Sequence, residues 1–229
     1  MDPRNQSPFN ALPPVVVGMA FAVAAIELMF QAGAAGLVGG QEAVGWRLSA
    51  IRDWAVADVV WDWALANSRF SPRDLARFVA YPLLHGGFAH AAFVAVFILA
   101  FGNAIAPVYS GWRFLAVFFA SALAGALAFV FLFDTAQPLF GGYSAAYGLI
   151  GAFTFLTRRG LTRARPEQAF LLLGALLAIQ PVFGLVGTMS FGWVSDWSAD
   201  AAGAAAGYGM AALLFPGTTG RLIDRMRQR

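Results

Sequence analysis

The stretch Gly141-Gly142-Tyr143-Ser144-Ala145-Ala146-Tyr147-Gly148-Leu149-Ile150-Gly151-Ala152-Phe153 decides the architecture of this chain. It opens an apolar segment that ends at Arg158. Glycine and alanine dominate it, and such small residues let a helix backbone approach its neighbours closely inside a membrane. A phenol, Tyr143, and a hydroxyl, Ser144, stand at the mouth of that helix. A serine beside glycine in such a place is a candidate nucleophile, provided that a base and an oxyanion donor accompany it.

Composition defines the surroundings of this helix. Hydrophobic residues make up 59% of the chain and charged residues 12%, about half the charge share of a soluble domain. The chain therefore reads as an integral membrane protein, built from spans of about 20 apolar residues. It has no cysteine, which excludes disulfides and thiolate metal sites. His85 and His90 are the only imidazoles, too few for a histidine metal centre, so neither a metal nor a cofactor is expected. All the basic charge is arginine, placed between the apolar runs. That pattern reports membrane topology rather than a nucleic-acid partner.

Outward from the central helix, the apolar pattern predicts an all-α, polytopic bundle of six transmembrane helices. The spans expected are 14–37, 78–101, 114–133, 142–156, 169–190 and 200–215. A segment 1–13 precedes them, with no removable signal shape, and a basic tail 216–229 follows. Glu27 lies inside the first span, where a carboxylate must find a partner or a proton. Between the first two spans, residues 39–71 carry Trp46, Trp54, Trp61, Trp63 and Phe70 beside arginines and Glu42, Asp53, Asp58 and Asp62. Tryptophan interleaved with charge predicts short helices at the outer membrane interface. Ser71-Pro72-Arg73-Asp74 is a helix start, with serine as cap and aspartate three residues later. Gln180-Pro181 predicts a kink in the fifth span. The basic loop Arg158–Arg165 and the basic tail fall on one side, the cytoplasm, and the even span count places the N-terminus there too.

Three motifs carry a resemblance. They are Arg77-Phe78-Val79-Ala80-Tyr81-Pro82-Leu83-Leu84-His85-Gly86-Gly87-Phe88-Ala89-His90, then Gly111 with Arg113-Phe114, then Tyr147-Gly148-Leu149-Ile150-Gly151-Ala152-Phe153. With the Gly203 and Gly207 seam in the last span, they resemble the rhomboid family of intramembrane serine proteases. The likeness covers 77–215. It implies a bundle that admits substrate helices laterally, and a serine-type endopeptidase activity.

The catalytic positions depart from the family. Where the resemblance implies an Asn four residues after the second His, this chain has Val94. Where it implies the histidine base, three residues before the first seam glycine, it has Asp200. Aligned without a gap, Tyr143 takes the place of the nucleophile, and Ser144 that of the glycine after it. A one-residue shift makes Ser144 the nucleophile and leaves His90 as an oxyanion donor. Aspartate is a weak base, and a serine hydroxyl needs one near the working pH. The sequence thus predicts a rhomboid-like pseudoprotease embedded in lipid that binds transmembrane helices of client proteins. The alternatives are an active enzyme using Ser144 and, more distantly, a solute transporter. Asp200 is expected to accept a hydrogen bond from Tyr143, with His90 or Ser144 as the other donors in reach. Glycines 203 and 207 are expected to pack near Gly148 and Gly151.

Overall fold

The computed structural model describes residues 12–188 and 193–216. The expected N-terminal segment and basic tail lie almost wholly outside them. Among the described residues, the chain folds as helices α1 (Pro14–Ala34), α2 (Trp46–Trp54), α3 (Asp58–Ala66), α4 (Pro72–Ala80), α5 (Phe88–Ile105), α6 (Gly111–Leu132), α7 (Tyr143–Arg158), α8 (Ala169–Thr188) and α9 (Trp193–Leu214).

Among the described residues, four stretches are long and apolar enough to cross a membrane: α1, α5, α6 and Pro166–Val186, which takes in most of α8. The protein is therefore a multi-pass, all-α membrane protein. The expectation of six spans is corrected to four, for two different reasons. α7 has 16 residues, so it reaches about 24 Å against a hydrocarbon core of about 30 Å. α9 has 22 residues, but Asp196, Asp200, its serines and its glycines dilute its apolar character. α7 is enclosed by protein, whereas α9 buries one face and leaves Ala205, Gly209 and Leu213 exposed on the other. Every residue from Ser144 to Ala152 is buried, and α9 buries Ala199, Asp200, Gly203, Ala204, Gly207 and Ala211. By contrast, α8 presents Leu171, Phe183 and Val186 outward.

Glycine makes the α7–α9 contact possible. A Cβ on Gly207 would sit 2.0 Å from the Gly148 carbonyl oxygen, and one on Gly203 2.2 Å from that of Ser144. A Cβ on Gly151 would sit 2.1 Å from the Ala204 carbonyl oxygen. The two backbones touch, as the small-residue pattern predicts, although Gly203 meets Ser144 and Gly151 meets Ala204.

The second expected span is interrupted. α4 starts as the sequence says: Ser71 Oγ accepts from the Asp74 amide at 3.1 Å, and Asp74 accepts from the Ser71 amide at 3.4 Å. It ends at Ala80, a single turn at Tyr81–Leu83 follows, and α5 begins only at Phe88. Pro82 and the Gly86-Gly87 pair break the helix, so His85 precedes α5 and does not share a helix with His90.

Three ties hold the 35–71 region and the 133–142 turn against the bundle. Arg47 donates to both Glu27 oxygens, at 2.7 and 2.9 Å, and to the His85 carbonyl at 2.7 Å. Val56 and Leu139 exchange backbone hydrogen bonds at 3.0 and 2.8 Å. The Thr135 amide donates to Asp58 at 2.7 Å. Burial pushes the Asp58 carboxyl above the ordinary range despite that bond. Glu27, 2% exposed, thus has its partner within the protein.

Candidate functional site

The start of α7 and the first half of α9 enclose a cavity of about 450 Å³. Its wall includes His90, Phe140, Tyr143, Ser144, Asp196 and Asp200. Each comes from a different constraint on the chain. The Val56–Leu139 bridge and a bond from the Gly141 amide to the Tyr81 carbonyl, at 3.0 Å, fix the 139–141 segment. Gly141 has φ +104°, and a Cβ there would lie 2.5 Å from the His90 ring. Only glycine combines that backbone with that contact. α7 then begins at Tyr143 and points its first turn into the cavity.

Ser144 and Asp200 meet. The Ser144 hydroxyl donates to Asp200 Oδ1 at 3.2 Å, and Gln180 Nε2 donates to Oδ2 at 2.8 Å. Ser144 is 1% exposed and Asp200 4%, so the pair is buried and both carboxyl oxygens are engaged. Room for the serine comes from α6: a Cβ on Gly125 would come within 2.6 Å of Ser144 Cβ.

Tyr143 does not bond to Asp200. Its ring stacks on His90 with centroids 4.7 Å apart and planes 16° from parallel. The donors that reach Asp200 are Ser144, named in the sequence reading, and Gln180, read there only as part of a kink. Gln180 sits one residue before Pro181, inside α8, where a polar side chain in an apolar helix was its signal. Asp196 was also missed; it stands one turn before Asp200 on α9 and faces the same cavity.

The histidines divide their work. His90 Nδ1 accepts from the Gly86 amide at 3.5 Å, which leaves the proton on Nε2. That Nε2 is buried and has no partner among the described residues. His85 Nε2 accepts from the Gly142 amide at 3.4 Å, and its ring stands 4.9 Å from that of His90. Burial, then the neighbouring His90, hold His85 down at about 4, so it is neutral at pH 7. The tie between His85 and the first loop is the Arg47 contact to its carbonyl, not to its ring. Val94, at the position of the family's Asn, is fully buried and fills the space against Gly142.

The arrangement holds two buried, unpartnered imidazole nitrogens, His90 Nε2 and His85 Nδ1, a buried hydroxyl bound to a carboxyl, and no hydrogen bond from either imidazole to Ser144 among the described residues. An all-α membrane protein with a serine–carboxyl pair beneath a small cavity is the class that this geometry defines. Comparison with known families then places it: the Rhomboid domain family matches residues 72–217. The chain belongs to that family. No curated protein matches its sequence.

Proposed function

We propose that this chain is a rhomboid-family membrane protein that binds transmembrane segments of client proteins without cleaving them. The observation that carries this reading is the bonding of Ser144. Its hydroxyl donates to a carboxyl that Gln180 also holds, and no imidazole accepts its proton among the described residues. Serine attack needs a base with a pKa near the working pH to take that proton. A carboxylate is too weakly basic at neutral pH, and a neutral carboxylic acid cannot act as the base at all. Val94 supplies no oxyanion donor, and losing one such donor costs about 10²–10³ in rate. What remains can still hold a ligand in the cavity walled by His90, Phe140 and Tyr143.

The alternative reading makes Ser144 the nucleophile, Asp200 the base and His90 the oxyanion donor. The 3.2 Å contact of Ser144 with Asp200 favours it. One experiment separates the two. The purified protein in liposomes is treated with a fluorophosphonate probe and offered a rhomboid transmembrane substrate. The binding reading expects the substrate to be retained uncut and Ser144 to stay unlabelled. Labelling or cleavage that disappears in Ser144→Ala overturns it.

The same reading places both termini in the cytoplasm, on the side of the arginine-rich loop at the end of α7.

A further inference from the structure

The end of the bundle farthest from Ser144 carries a second cavity. It lies between the C-terminal halves of α5 and α7 and the loop that follows α7, with a volume of about 420 Å³. Ala104, Pro107, Phe153 and Leu161 make an apolar wall, and Asn103 and Arg163 bring polar groups to it. Thr162 also lines it, but its hydroxyl is already bonded to Thr157 at 2.9 Å. Neither the Asn103 amide nor the Arg163 guanidinium has a side-chain or backbone partner among the described residues, and no acid lines the cavity.

The charge at this end is one-sided. Arg113, Arg158, Arg159, Arg163 and Arg165 stand there against Glu167 among the described residues. Several contacts show that these segments share one face. Tyr109 bonds the Ala211 carbonyl at 2.8 Å, Arg159 stacks on Phe155 and Phe215, and a Cβ on Gly102 would strike Val16. The opposite face balances its arginines with Glu42, Asp53, Asp58, Asp62, Asp74 and Asp134. Arg158 lies over Phe170, and Arg159 over its two rings. Arg163 makes no such contact.

We infer that this cavity is a binding site for one anionic phospholipid. Its phosphate would lie against Arg163 and Asn103, and the start of its acyl chains against Pro107, Phe153 and Leu161. A free phosphate would have no use for the apolar wall, and a zwitterionic lipid gains less from an unpaired guanidinium on a basic face. The site sits beyond the C-terminus of α7, whereas Ser144 is in its first turn, so it does not depend on the function proposed above.

The test uses the full-length protein purified in a neutral detergent. Phosphatidylglycerol, phosphatidylcholine and inorganic phosphate are added separately, and bound lipid is counted by native mass spectrometry. Thermal stability is followed in parallel. Phosphatidylglycerol should be retained and should raise Tm, while the other two should do neither. Arg163→Gln should weaken retention about fivefold, the worth of one basic side chain at an anionic surface. Arg165→Gln, on the same loop but outside the cavity, should weaken it less. Should Arg163→Gln fail to fold, Asn103→Leu serves, with reduced retention expected. Equal retention of phosphatidylcholine overturns the inference. So does an equal loss in Arg165→Gln, which means diffuse charge, or an equal Tm rise with inorganic phosphate, which means a free-anion site. A second copy or a co-purifying polypeptide found in place of lipid overturns it too.

Discussion

Gly207→Ala isolates the backbone contact between α7 and α9. The added methyl would lie 2.0 Å from the Gly148 carbonyl oxygen and 2.5 Å from its Cα. An ordinary carbon contact begins at about 3.4 Å, so α9 has to retreat from α7 by more than an ångström. No side chain can swing aside, because the obstacle is backbone. Overpacking of this kind costs about 1–3 kcal/mol, occasionally more, while alanine over glycine returns about 0.5–1 kcal/mol of helix propensity. A net loss of about 1 kcal/mol follows, and at about 2–4 °C per kcal/mol for a chain of this length, Tm falls roughly 3 °C. Gly209, two residues on in the same helix, supplies the control. A Cβ there meets nothing within 4 Å, so Gly209→Ala should hold or raise stability. Thermal unfolding of both variants in one detergent reads the difference. If Gly207→Ala melts at or above Gly209→Ala, the helices do not touch at that seam and the packing argument collapses. The same variant should also part Ser144 from Asp200, since Gly203 seats directly on the Ser144 backbone.

Three further outcomes are expected. Glu27→Leu leaves the part-buried Arg47 unpaired and should cost about 3–5 kcal/mol; adding Arg47→Met should recover much of it, and a double variant no more stable than the single one would show that the ion pair is not what Glu27 supplies. His85 is neutral when folded, with its pKa held down at about 4 against an ordinary 6.5, so between those two values the unfolded chain binds more protons. Stability should therefore fall by up to about 3 kcal/mol as pH drops from 6.5 to 4, and the slope should shrink in His85→Phe; a flat Tm profile over that window would refute the buried neutral histidine. A reporter fused after Arg229 should be active only as a cytoplasmic fusion, and periplasmic activity would reverse the proposed topology.

The sequence revealed the packing of this fold better than its span count. Glycines 203 and 207, four apart, and 148 and 151, three apart, are legible because small residues at one-turn spacing on apolar helices have one common use, close backbone approach. The helix start at Ser71 is legible because a capping box is local chemistry. The span count was not legible, since apolar runs in α7 and α9 look like lipid-facing helices until their neighbours are known. A helix enclosed by protein can be short, like α7, and a helix with one buried face can hold a paired aspartate there, as α9 holds Asp200. The break before α5 was similarly hidden: His-Gly-Gly reads as a weak point in a helix, and only the turn at Tyr81–Leu83 makes it a true interruption. Gln180 was missed as a site residue because its partner lies 20 positions away, a distance that no periodicity reports.

The position of a residue along α7 and its position in space part company at the site. Counted without a gap, Tyr143 takes the nucleophile's place in the family pattern, yet the side chain against Asp200 belongs to Ser144. Successive residues on a helix differ by about 100° in direction, so only one of the two can face α9. Packing decides which. On one side Gly125 leaves room for little more than a hydroxymethyl group, and the Ala199 carbonyl closes the same space. A phenol there would collide with both helices. On the other side the cavity is open, and the face of His90 receives the Tyr143 ring. The small residues on α6 and α9 therefore orient the first turn of α7 and bring a hydroxyl to the carboxyl. What the site lacks is an imidazole bonded to that hydroxyl. The two histidines it does hold are committed to the Gly86 and Gly142 amides. The proposed binding role rests on that arrangement: a serine held by a carboxyl, while the histidines brace loops.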